Sequence, residues 1–130
     1  MIARKNAVIE ANTWLDRVSS RKLEIVFLAP LPIFGSPAFR CSDWFNRTNP
    51  ICEGLATSKR DFQLDYRIPV ISAMNELKSA HADVSIFDPF EQFCPASECS
   101  TKQDGKSLFF DGDHLSGHGN DFLFHLFENY

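Results

Sequence analysis

The sequence predicts an α/β fold, a three-layer sandwich in which helices cover a parallel sheet. The chain alternates helix, strand, helix, strand, helix, and parallel strands joined by helices build such sandwiches. Residues 23–29 are a nearly continuous apolar run, typical of a strand buried on both faces of a parallel sheet. A polar loop then precedes the last helix, where α/β domains of this kind place their ligands.

The first elements follow from local signals. Residues 7–20 have apolar side chains at helical spacing, which predicts an amphipathic helix. The apolar run 23–29 is followed by Pro30, which ends the first strand. Residues 68–80 predict a second helix that tolerates Pro69 in its first turn.

The later elements are shorter. Residues 82–87 predict a second strand, and residues 107–110 predict a short third one. A last helix within residues 115–130 is expected to begin after Gly119. Three residues compete as its N-cap: Ser116, Asn120 and Asp121.

Two long strands make a small sheet, and buried parallel strands need neighbours at both edges. We therefore expect residues 1–130 to be the C-terminal portion of a single α/β domain whose first strands are missing from this chain. Residues 33–65 look irregular, and a loop of that length is usually functional or cross-linked.

Composition restricts the partners. The 130 residues carry a formal net charge of −4, which argues against nucleic acid or an anionic membrane surface. The sequence contains no run of about 18 apolar residues and no hydrophobic signal-peptide core. Taken alone, these features predict a cytoplasmic protein.

The four cysteines indicate otherwise. Cys41 and Cys52 flank a loop rich in proline and asparagine, and Cys94 and Cys99 close a short loop. The simplest of the three pairings joins nearest neighbours in two disulfides, which form outside the cytoplasm. Free buried thiols and a zinc site are the alternatives, and zinc would need further converging ligands.

The main candidate site lies in residues 109–116, Phe-Phe-Asp-Gly-Asp-His-Leu-Ser. Asp111 precedes His114 by three residues, so its carboxylate can curl back to Nδ1, fix the tautomer and leave Nε2 for a nucleophile. A solvated polar turn is the plainer interpretation. A metal site made by Asp111, Asp113 and His114 is a third, but it lacks further converging ligands.

Residues 110–116, followed by Gly119, resemble the last conserved block of SGNH hydrolases, in which Asp-x-x-His supplies two members of a triad. Residues 94–99, Cys-Pro-x-x-x-Cys, and residues 39–52 resemble the periplasmic SGNH domain fused to membrane acyltransferases that O-acylate bacterial surface polysaccharides. The resemblance covers most of the chain and implies an SGNH- or flavodoxin-like sandwich.

The resemblance implies that His114 is the catalytic base and Asp111 its orienting acid, with no metal and no organic cofactor. The family's Gly-Asp-Ser nucleophile block is not in this sequence, and Ser36, which lacks the acidic neighbour, is no substitute. We therefore expect the chain to be inactive alone.

The implied function is acyl transfer to a polysaccharide. The implied partners are the upstream part of the same domain, a membrane acyltransferase domain and the polysaccharide acceptor. The implied location is the periplasmic face of the bacterial inner membrane. A non-catalytic polysaccharide-binding or scaffold module and a fragment of a secreted SGNH esterase are the alternatives.

Overall fold

The computed structural model describes residues 2–19, 21–35, 40–46, 48–52 and 56–130. The chain divides into two compact units. Unit 1 comprises Met1–Pro30 and Arg67–Asp88, and unit 2 comprises Leu31–Tyr66 and Pro89–Tyr130.

Four α-helices and six short strands are present in the described residues. The helices are α1 (Ile2–Ser19), α2 (Arg60–Ala80), α3 (Phe90–Phe93) and α4 (Gly117–Phe127), with 3-10 turns at Arg40–Ser42 and Trp44–Asn46. The strands are β1 (Ile25–Leu28), β2 (Thr57–Lys59), β3 (Val84–Phe87), β4 (Glu98–Ser100), β5 (Lys102–Gln103) and β6 (Lys106–Ser107). None of these helices is long and apolar enough to span a bilayer.

Unit 1 contains the parallel pair β1–β3, in a register that runs from Ile25 opposite Val84 to Leu28 opposite Phe87. The two predicted long strands are therefore confirmed as parallel neighbours. Side chains from both helices and β3 form the core of this unit: Val8, Leu15, Leu77 and Val84.

The predicted burial of β1 on both faces is wrong for alternate residues, because Val26 is 38% exposed and Leu28 is 45% exposed. Among the described residues, β1 pairs with β3 alone, and the sheets are three separate two-stranded pairs. The mixed α/β class is confirmed. A single parallel sheet between two helical layers is not seen in the described residues.

Unit 2 contains the two antiparallel pairs and most of the phenylalanine core. Pair β2–β4 brings Ser58 opposite Cys99, and β5–β6 is a hairpin. Its largest core cluster joins the residues that follow β6 to helix α4. The buried members are Phe93, Leu108 and Phe109, and partly buried side chains pack against them: Leu31, Phe34, Leu115, Phe122, Leu123 and Leu126.

The predicted third strand is misplaced. Only Lys106–Ser107 is a strand, and it pairs antiparallel with β5 rather than joining the parallel sheet. Asp104 and Gly105 make the connecting turn with φ of 50° and 75°. Two positive φ values suit the tight hairpin turn that Asp-Gly sequences favour, and that dipeptide was the overlooked signal.

Three predicted helix starts are also wrong. Helix α1 begins at Ile2 rather than at residue 7. Helix α2 begins at Arg60, which makes Pro69 an interior residue. A proline costs one intrahelical hydrogen bond there, and the helix nevertheless continues on both sides. Helix α4 begins at Gly117, because the Ser116 hydroxyl accepts the Gly119 N–H at 2.9 Å and outcompetes Asn120 as the cap.

Candidate functional site

The candidate site is a tight loop between two bridged residues. Phe109 and Leu115 form an antiparallel β-bridge, and the Phe110 N–H donates to the His114 carbonyl at 2.7 Å. Phe109 is fully buried. The loop tip, residues 111–113, thus projects from a stem that is rooted in the core of unit 2.

The Asp111 carboxylate organises this loop. Its Oδ1 accepts the backbone N–H of His114 at 2.7 Å and that of Asp113 at 3.1 Å. The imidazole lies on the same carboxylate, with Nδ1 2.9 Å from Oδ2 and 3.1 Å from Oδ1. The predicted contact between Asp111 and His114 is therefore confirmed, and the backbone of the turn fixes its geometry.

The carboxylate of Asp113 approaches the same nitrogen. The sequence suggested a role for Asp113 only in a metal site. Asp113 Oδ1 lies 3.2 Å from His114 Nδ1. Asp111 is the better-fixed partner, since two N–H groups hold its carboxylate, whereas Asp113 is more exposed. Asp113 therefore adds negative charge beside the ring without orienting it.

These contacts perturb both titrating groups. The N–H of His114, then that of Asp113, holds the pKa of the Asp111 carboxyl well below its usual value. The hydrogen bond to Asp111 raises the pKa of His114, and the negative charges of Asp111 and Asp113 raise it further. The pair therefore favours an imidazolium beside a carboxylate, which is the state that a general base reaches after accepting a proton.

The histidine side chain is open to solvent on its far side. It is 75% exposed, while the Asp111 side chain is 39% exposed. Because Nδ1 faces the carboxylates, Nε2 lies across the ring from them. A reactant can therefore approach Nε2 without any movement of the loop.

Ser116 and Gly119 join the exit of the loop to its entrance, and a second hydroxyl group bonds within the entrance. The Ser116 hydroxyl donates to the Ser107 carbonyl at 2.5 Å, and the Ser116 N–H donates to the Leu108 carbonyl at 2.9 Å. The Ser107 hydroxyl donates to the Phe109 carbonyl at 2.7 Å. Gly119 approaches so closely that an added Cβ would lie 1.9 Å from the Leu108 oxygen.

The metal interpretation uses the same atoms. Ligand atoms of Asp111, Asp113 and His114 lie within 4.8 Å of one another. A cation on Nδ1 would have to replace the proton that Nδ1 shares with Asp111, so the two roles exclude each other. The backbone N–H groups on Asp111 stabilise its ionised carboxylate in either role.

The two predicted disulfides are present. Cys41 and Cys52 have Cα atoms 5.4 Å apart, and Cys94 and Cys99 have Cα atoms 4.5 Å apart. Both cysteines of the second bond are fully buried in unit 2 beside Phe90. No free thiol remains for zinc, and disulfides are typical of proteins outside the cytoplasm.

The nucleophile has no counterpart in this site. The sequence contains one Gly-Ser pair, Gly35-Ser36, and no Gly-Asp-Ser. Ser36 itself lies outside the described residues. The geometry therefore contains an acid and a base, and the sequence contains no matching nucleophile block.

Comparison with known proteins identifies the family of the chain. A search of curated proteins and a search of solved structures gave no match. A family model for the SGNH domain fused to AT3 domains matches residues 3–129, nearly the whole chain. The protein therefore belongs to the family of SGNH domains that are fused to AT3 domains.

Proposed function

We propose that this chain supplies the base and the orienting acid of an SGNH domain that transfers acyl groups to a polysaccharide. The observation that carries the proposal is the 2.9 Å contact between His114 Nδ1 and Asp111 Oδ2, with Nε2 on the solvent side. Membership of the AT3-fused family supports acyl transfer as the chemistry.

In the proposed reaction a serine from outside these residues attacks the acyl carbonyl. His114 Nε2 takes the hydroxyl proton as the serine oxygen–carbon bond forms, and Asp111 stabilises the resulting imidazolium. When the tetrahedral intermediate collapses, the bond to the leaving atom breaks and Nε2 returns the proton to that atom. An acceptor sugar hydroxyl then attacks the acyl-enzyme, and His114 Nε2 takes its proton. The bond between the acyl carbon and the serine oxygen breaks, and Nε2 returns the proton to the serine.

The proposal also covers the chain's setting. Residues 1–130 would be the C-terminal portion of a three-layer sandwich whose other strands carry the nucleophile and the oxyanion hole. The membrane acyltransferase domain would deliver the acyl group at the periplasmic face of the bacterial inner membrane. Two disulfides fit an oxidising compartment.

The test measures acyl transfer by the protein in which this chain is joined to its nucleophile segment. His114→Gln is expected to reduce kcat by about 10²–10⁴-fold, the usual contribution of a general base. His125→Gln is the matched control, since His125 is an exposed histidine on α4 that contacts Glu128, the C-cap of that helix. Equal activity in both variants would overturn the proposal and favour a non-catalytic binding module.

A further inference from the structure

Gln63 is a buried glutamine that lies far in sequence from the 109–116 loop. It contacts Ile33, whose neighbour Phe34 supports that loop. The Gln63 side chain lies in the first turns of α2 and is 2% exposed. Its Oε1 accepts the Ile33 N–H at 3.0 Å, and its Nε2 donates back to the Ile33 carbonyl. One carboxamide thus satisfies both backbone polar groups of one residue.

The next residue along the chain contacts the loop at two places. The Phe34 N–H donates to the Gly112 carbonyl at 2.7 Å, and Gly112 lies between Asp111 and Asp113. The Phe34 ring packs edge-on against Phe109, with centroids 5.0 Å apart. Phe34 therefore contacts both the tip and the stem of the loop.

The helix turn that carries Gln63 is itself anchored. The Arg60 guanidinium donates to the Cys94 carbonyl, pairs with Glu91 and lies over the Phe90 ring at 5.4 Å. The Arg60 N–H donates to the Ser97 carbonyl at 3.0 Å. This turn of α2 is thereby fixed to the loop that the Cys94–Cys99 disulfide closes.

We propose that Gln63 is a positioning residue for His114, acting through Ile33, Phe34 and Gly112; this role rests on the proposed function. The buried carboxamide holds the backbone of Ile33, and that backbone directs the Phe34 N–H at the loop tip. Only a side chain with both a donor and an acceptor can hold both polar groups of Ile33.

The first experiment uses the 130-residue chain and needs no activity. In Gln63→Leu, amide exchange at Phe34 is expected to accelerate about tenfold or more, since its hydrogen bond to Gly112 opens more often. Exchange at Leu108, whose N–H donates to the Thr101 carbonyl, is expected to stay unchanged. The matched control is Gln92→Leu, an exposed glutamine on α3.

The second readout is the ring of His114. At a pH above the His114 pKa the ring is neutral and Nδ1 carries the proton shared with Asp111 in the wild type. The ¹⁵N shifts of the two ring nitrogens report this tautomer. Gln63→Leu is expected to shift the population toward the Nε2–H tautomer. A role confined to stability would lower the melting temperature and leave the tautomer and Phe34 exchange relative to Leu108 unaltered, which would overturn the proposal.

A second variant covers a failure to fold. Gln63→Glu keeps the length and the acceptor, and it loses the donor to Ile33 when its carboxyl is ionised. A change of the same sign is therefore expected at a pH where the carboxyl is ionised. In the acyl-transferring protein, both variants should lower kcat with little change in KM. If the Gln63 variants shift the His114 tautomer but the wild-type protein transfers no acyl group, only the proposed function is contradicted. If the variants keep full kcat and an unshifted tautomer, the positioning role is contradicted.

Discussion

At the scale of single residues, the site is built by one carboxylate that accepts three donors. Asp111 receives two backbone N–H groups and the imidazole of His114, so the turn and the pair form together. Because the donors are three residues or fewer away, the contact was predictable from sequence spacing. Gln63 was not, since it meets Ile33 across 30 residues and only the fold brings them together.

Under the proposed function, the raised pKa of His114 makes acyl transfer depend on pH. A base must be unprotonated, so kcat/KM should rise with pH through the His114 pKa, which lies above the ordinary value of about 6.5. Asp111→Asn removes the hydrogen bond and the charge that raise this pKa. The midpoint should therefore move to lower pH while the plateau falls about 10²–10⁴-fold.

The measurement is a pH–rate profile of both proteins, with Asp113→Asn as a comparison. Asp113 only adds charge beside the ring, so its removal should shift the midpoint less and retain most of the plateau. A midpoint in Asp111→Asn equal to that of the wild type would contradict the assignment of Asp111 as the orienting acid.

At the scale of elements, the start of α4 depends on one close approach. An added Cβ at Gly119 would lie 1.9 Å from the Leu108 oxygen and 3.1 Å from Leu115. Gly119→Ala should therefore lower the free energy of unfolding by about 3 kcal/mol or more, because a backbone carbonyl has to move. Chemical denaturation measures this loss.

The same helix provides a matched control. Gly117 has open space around its Cβ position, so Gly117→Ala should change the free energy of unfolding by less than about 1 kcal/mol. A similar loss in both variants would contradict the contact with Leu108 as the reason for glycine at position 119, since alanine has the higher helix propensity.

The disulfides give a second prediction at this scale. Restriction of the unfolded chain predicts about 3 kcal/mol for Cys41–Cys52 and about 2 kcal/mol for Cys94–Cys99. Removing Cys94 and Cys99 should cost more than this value, since both side chains are fully buried and leave a cavity. Mass spectrometry of an unreduced digest first verifies the pairing. Each disulfide is then replaced by two alanines, and denaturation compares the two losses of stability with these values.

The sequence predicted elements well where one local signal was dominant. The apolar runs of β1 and β3 and the helical spacing of α1 are such cases. It failed where signals competed or tertiary contacts decided. Ser116, Asn120 and Asp121 are all good caps, and Ser116 is selected because its hydroxyl also reaches the Ser107 carbonyl. Pro69 suggested a helix start because proline is over-represented in the first turn of helices.

At the scale of the whole molecule, the chain contains the proposed base and its orienting acid, and its sequence contains no Gly-Asp-Ser nucleophile block. We expect the purified 130 residues to hydrolyse a simple aryl acetate no faster than His114→Ala does, since the covalent step needs an attacking atom. Turnover that disappears in His114→Ala would place a nucleophile within these residues. Activity gained on joining the nucleophile segment would support the proposal.

The exposed side chains of β1 give the chain a surface for self-association. Val26 and Leu28 are partly exposed on a strand of a two-stranded sheet, and unpaired sheet edges promote association. Leu28→Lys should lower the sedimentation coefficient at high concentration. Leu23→Lys, which removes an equally exposed leucine outside the strand, should have a smaller effect; equal effects would argue against the strand.

The buried sulfurs of Cys94 and Cys99 also set an order of events during maturation. Thiol exchange requires an oxidant to reach the sulfur atoms, and the native packing around Phe90 leaves them no access. We therefore expect the bond to form while this part of the chain is still open, before the packing around Phe90 is complete. The folded protein should resist a reductant, so the rate at which the Cys94–Cys99 disulfide is reduced measures how often unit 2 opens.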